Sequence, residues 1–176
     1  MGIRRDFDTI IVIEKTNITK VVDIVHQILS ERNFILEEDE YLSYLILHEI
    51  MDDEHLEIDY DIPRRGLSAQ ESLDLLKNHK AGGALMYRNA LNAFNVVVNF
   101  KSLNDVEIEA LIFEADAYFS ETNDFKNIIM DINRSELEII GVTQGYQMLN
   151  DLDQETEIEK ILNGKINEEY RYVIDQ

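Results

Sequence analysis

The chain has no cysteine, no tryptophan and one proline, Pro63. Without cysteine it can form no disulfide, no thiolate nucleophile and no cysteine-ligated zinc site, and it suits a reducing compartment. Basic residues are also scarce. Sixteen lysines and arginines stand against 36 acids, giving a net charge of −20. Phosphate contacts require cations, so direct nucleic-acid binding is not expected. The same deficit disfavours docking on anionic lipid. No apolar run nears the roughly 20 residues that cross a bilayer. The opening MGIRRDFDTI has no signal-peptide core, and Asp6 stands where a myristoylation signal wants serine or threonine. A cytoplasmic protein is expected.

What is present can fold. Hydrophobic residues make up 45% of the 176, enough for a real core despite the charge. The pattern predicts an α+β fold in one domain, residues 1–176. A mainly antiparallel sheet of about six to seven strands carries three to four helices. The organising stretch is a β-meander over 84–119. Within it Phe94, Val96, Val98 and Phe100 share one face at period two. From Val106 to Ile112 the even positions are apolar, and from Leu111 to Phe119 the odd ones. That switch predicts a bulge or burial on both faces; a helix starting at Asn104 is the competing reading.

Ahead of the meander, Asp8–Ile13 reads as a buried strand and Asn17 as the cap of a helix. That helix sets Ile18, Val21, Val22, Ile24, Val25, Ile28 and Leu29 at helical spacing, and Asn33 ends it. Residues 38–62 form an acidic hairpin or helix–strand unit, because 41–50 fits either period while Leu56, Ile58, Tyr60 and Ile62 alternate with acids. Ser68 and Glu71 form a capping box, and Gly82-Gly83 closes the helix that follows. Beyond the meander, Thr122 or Asn123 caps a helix burying Phe125, Ile128, Ile129 and Ile132. The C-terminal part, 122–164, reads as helical and is interrupted at Gly141 and Gly145. An acidic helix stops at Gly164, and 170–174 is a closing strand.

Catalytic signatures are missing. Gly82-Gly83 has no following Lys-Ser or Lys-Thr pair, and there is no Gly-x-Ser-x-Gly elbow. Some pair among 36 acids will lie at glycosidase spacing by chance. His48, Asp52 and His55 would share a helix face and could hold zinc. They carry the alternative reading, a metal-dependent or carboxylate-based small-molecule hydrolase, although no cofactor or metal is expected on the main one. His26 and His79 read as packing or surface residues. Tyr87, Phe94, Phe100, Phe113, Tyr118 and Phe119 read as core.

The acids are not spread evenly. From Glu31 to Asp61 there are twelve, opposed only by Arg32. Clustered like charge costs folding energy through self-repulsion, so its retention argues for a use. The expected use is as a non-enzymatic inhibitor or immunity (antitoxin) protein of bacterial type. It would cover the basic site of a protein partner such as a nuclease toxin. The expected contacts are Glu37, Glu38, Asp39, Glu40, Asp52, Asp53, Glu54, Glu57, Asp59 and Asp61, with Tyr41, Tyr44 and Tyr60 as aromatic anchors. A structural subunit is a further alternative.

Overall fold

The computed structural model describes residues 6–37, 68–78, 83–92, 94–102, 107–116, 119, 122–146 and 151–164. Ten elements follow one another: β1 (Asp6–Asn17), α1 (Ile18–Glu31), β2 (Phe34–Leu36), α2 (Ala69–Asn78), β3 (Gly83–Asn89), β4 (Asn95–Ser102), β5 (Glu107–Asp116), α3 (Asn123–Arg134), β6 (Ile139–Tyr146) and α4 (Asp151–Leu162). The six strands form one antiparallel sheet in the order β2-β3-β4-β5-β1-β6. The meander β3-β4-β5 is therefore its centre, as its alternation requires. β1 adds to the far side of β5, and α1 carries the chain across one face to the opposite edge at β2.

The helices divide between the two faces. Helices α1, α2 and α3 bury their apolar stripes on one face, against Ile11, Ile13, Leu85, Tyr87, Val96, Val98, Phe100 and Phe113. α4 covers the other, where Ile158 and Ile161 meet Ile10, Val12, Ala110 and Ile112. This two-sided cover explains the uninterrupted apolar runs of β1 and β5, since a strand buried on both faces has no polar side to show. On β5, Ala110 and Ile112 turn to α4 while Ile108, Leu111, Phe113 and Ala115 turn to the other helices. The face switch lies at Glu109. There β4 advances from Lys101 to Ser102 while β5 passes from Ala110 to Ile108, leaving one residue extra in β5. The strand reading of 107–116 holds, and the helix reading does not.

Local signals act as their chemistry dictates. The Asn17 side chain accepts from the Thr19 N–H at 3.0 Å and starts α1. Six of the seven apolar residues predicted for this helix face are buried; Ile24 is only partly so. The helix ends through Asn33, whose φ of +67° is the left-handed conformation that asparagine tolerates. The Ser68–Glu71 box is reciprocal: the Ser68 N–H donates to Glu71 Oε2 at 2.9 Å, and the Glu71 N–H to Ser68 Oγ at 3.1 Å. Thr122 caps α3, which buries Phe125, Ile128, Ile129 and Ile132. Gly164, at φ +85°, closes α4.

One local expectation gives way. Gly141 and Gly145 do not interrupt the chain; both lie inside β6, so the 122–164 part contains a strand as well as helices. Gly141 has a tertiary reason to lack a side chain. A Cβ there would stand 2.5 Å from Ile161 Cγ2, so its absence lets α4 lie directly on the sheet. The expected closing strand at 170–174 and the hairpin or helix–strand unit at 38–62 lie outside the described residues.

Candidate functional site

Of the residues expected to meet a partner, the described structure contains Glu37. It follows the edge strand β2, where its N–H donates to the Met86 carbonyl at 3.0 Å and extends the β2–β3 ladder. Its carboxylate accepts from Arg88 Nε on β3 at 2.8 Å. Glu37 is thus already paired. Glu38, Asp39, Glu40, Tyr41, Tyr44, Asp52, Asp53, Glu54, Glu57, Asp59, Tyr60 and Asp61 lie outside the described residues, as do the metal candidates His48, Asp52 and His55. Among the described residues, no three histidines or acids converge as metal ligands.

Among the described residues, a groove of about 820 Å³ lies between α1 and α3. Ile24 and Ile28 line its apolar part, with Asp23, Gln27, Glu31, Asp131 and Arg134 around them. Its charges are largely spent on fastening the helices. Lys20 Nζ meets Glu136 at 2.8 Å, and Arg32 Nε meets Asp131 at 2.5 Å, tying α1 to α3. Lys77 on α2 pairs with Asp23 on α1. The Asp131 hydrogen bond raises the Arg32 pKa, and the Lys20 bond holds the Glu136 carboxyl below its ordinary value. A groove so neutralised has little field left to select a charged ligand.

A part-buried polar contact joins α1 to the sheet. His26 Nδ1 on α1 is 2.9 Å from the Tyr87 hydroxyl on β3. Tyr87 is fully buried, and burial pushes its phenol pKa up, so the hydroxyl keeps its proton. Burial lowers the His26 pKa, the Lys77 ammonium lowers it further, and Asp23 opposes both. A neutral imidazole accepting from a protonated phenol suits both shifts. The arrangement fastens α1 to the sheet and offers no nucleophile. Its residues stand 61 apart in sequence, so no local pattern could have joined them.

The aromatic residues read as core behave as such where they are described. Phe119 packs against Phe34, Phe94 and Phe125, and Phe113 meets Phe125 edge-on at 5.9 Å. No helix among the described residues is long and apolar enough to cross a membrane.

Comparison with known proteins gives no match to a family model, to a curated protein or to a solved structure.

Proposed function

We propose that this chain is a non-enzymatic acidic binding protein of the inhibitor or immunity type, covering the basic site of a protein partner such as a nuclease toxin. The observation that carries the reading is how the cations are used. Lys20, Arg32, Lys77, Arg88 and Lys160 are each engaged by an acid of the described fold. Meanwhile Glu38–Asp61 holds ten acids and no lysine or arginine. Those five cations are already engaged, and a cationic partner would supply the charge that the segment itself lacks. The described residues nearest to it on either side, Glu37 on the β2 edge and Ser68 in its capping box, belong to tied structure. Carboxylates presented to a nuclease groove stand in for phosphates and block nucleic acid by mutual exclusion.

The test pairs the full chain with a basic, nuclease-like protein encoded by the neighbouring gene. Stoichiometric inhibition is expected, with association that slows steeply between about 0.1 M and about 1 M salt, where the Debye length falls from about 10 Å to about 3 Å. Reversing Asp52, Asp53 and Glu57 to lysine should slow association at low salt by about two orders of magnitude, with the fold intact by circular dichroism. Unchanged capture by that variant would sink the proposal.

A further inference from the structure

α4 runs out into the chain's only Asn-Gly sequence, Asn163-Gly164. Both residues are exposed. Gly164 has a φ of +85°, and a Cβ built on it would meet nothing within 4 Å, so the space beside its backbone is open. A glycine after asparagine is the residue that least hinders attack by its own nitrogen on the preceding side chain, because without a Cβ the chain turns freely into the ring-closing conformation. Asn17 and Asn95 are exposed too, but they precede the β-branched Ile18 and Val96, whose side chains crowd that approach. The native turn holds the pair back. The Asn163 N–H donates to the Glu159 carbonyl at 3.0 Å, and the Gly164 N–H to the Ile161 carbonyl at 3.0 Å. To attack, the Gly164 nitrogen must lose its proton and swing toward Asn163 Cγ, and the bond to Ile161 opposes both. Helix ends open locally at low cost. Here that cost is set by Ile161, which is 2% exposed and lies against Gly141.

We infer that Asn163-Gly164 is a self-modification site, gated by the last turn of α4, at which water converts the amide side chain to a carboxylate. When the turn opens, the Gly164 nitrogen gives its proton to solvent and attacks Asn163 Cγ. The new N–Cγ bond closes a cyclic imide as the Cγ–Nδ2 bond breaks, and Nδ2 takes up a proton and leaves as ammonia. Water then opens the ring at either carbonyl, giving aspartate or isoaspartate, with no change of oxidation state. Either product puts a negative charge at the C-terminal end of α4, where the helix dipole disfavours it. It also stands one turn from Glu159, a like-charge spacing that weakens a helix. Isoaspartate lengthens the backbone as well, so the Gly164–Ile161 bond can no longer close the turn as before. The modification therefore loosens α4, which rests on β1 and β6 through Ile158 and Ile161. The site uses no residue of Glu38–Asp61, so its outcome is independent of the inhibitor reading.

The test incubates the full chain at mildly basic pH, native and unfolded in guanidinium chloride, and locates deamidation by peptide mass spectrometry. In the unfolded chain Asn163 should convert at least about tenfold faster than Asn95, which precedes a β-branched residue. In the native chain Asn163 should convert at least about tenfold more slowly than in the unfolded one. Gly141→Ala, which presses on Ile161, should raise the native rate by about threefold or more. Ile161→Val, which thins the same contact, is the second variant and should act in the same direction. Arg32→Gln, on the opposite face, should leave the native rate unchanged. Asn163→Asp, one of the two products, should speed amide exchange across residues 151–162, and Asn163→Gln, which keeps an amide, should not. Equal rates for Asn163 and Asn95 in the unfolded chain would overturn the inference, as would equal native and unfolded rates at Asn163. So would native rates in Gly141→Ala and Ile161→Val no higher than in Arg32→Gln.

Discussion

Replacing Gly141 by alanine tests how α4 is held. The new Cβ would lie 2.5 Å from Ile161 Cγ2 and 3.6 Å from its Cβ and Cγ1. The nearest atom belongs to a β-branched side chain, which is stiff at χ1 and cannot swing away at low cost. Ile161 is 2% exposed, so it has no solvent to move into. Either α4 rises off the sheet or β6 shifts. Overpacking of this kind costs about 1–3 kcal/mol. Removing a strand glycine returns about 0.5–1 kcal/mol, so a net loss of about 0.5–2 kcal/mol is expected. The cause can be isolated with Ile161→Leu, which conserves volume but has no branch at Cβ and so no Cγ2 methyl beside residue 141. In that background Gly141→Ala should become neutral or stabilising, giving a coupling energy of about 1–2 kcal/mol in a double-mutant cycle. Urea unfolding followed by circular dichroism measures all four corners. A Gly141→Ala protein at least as stable as the parent, with Ile161 in place, would refute the close approach of α4 to β6.

Two further expectations concern the opposite face. His26 has a folded pKa below its ordinary 6.5, so the unfolded chain binds more protons; this share of stability is present above pH 6.5 and is lost as pH falls through the folded value. Urea midpoints between the carboxylate range and pH 6.5 should therefore fall with acidification, and His26→Gln, facing the same Tyr87, Lys77 and Asp23, should flatten that dependence. Arg32→Gln breaks the bond to Asp131 between side chains about one-third exposed; after discounting for solvent screening, a loss of about 1 kcal/mol in urea unfolding is expected.

Much of the architecture was legible because local chemistry and tertiary burial agree. Asn17, Ser68 with Glu71, Thr122 and Gly164 mark helix ends by side-chain hydrogen bonds or backbone freedom. Phe125, Ile128, Ile129 and Ile132 mark a buried stripe by their spacing. The face switch in β5 was visible as a change of parity, and the structure supplies its two causes, the extra residue at Glu109 and a second helical layer over Ala110 and Ile112. Gly141 was misread because its reason lies 20 residues away, in Ile161. A glycine required by a neighbour's side chain and one required by a turn look alike in a sequence. The Tyr87–His26 contact was illegible for a related reason: its partners stand 61 residues apart and meet only once α1 packs on the sheet.

Charge placement links these features. In a chain of −20, cations are the scarce component, and where they are used has consequences. Lys20 and Arg32 join the α1 region to that of α3, and Lys77 joins α2 to α1. Arg88 pairs with Glu37 beside the short strand β2. Had these four cations instead been spread among the ten acids of Glu38–Asp61, the segment would still be anionic, at −6 in place of −10, while α1 and the β2 edge would lose their ties. The fold is thus stabilised by the same allocation that leaves one segment strongly anionic. A consequence is that adding lysines within 38–61 should change partner capture far more than stability, while removing Arg32 should do the reverse. Urea midpoints and association rates measured on the same two proteins would separate these effects, and parallel losses in both variants would show that the allocation has no such division.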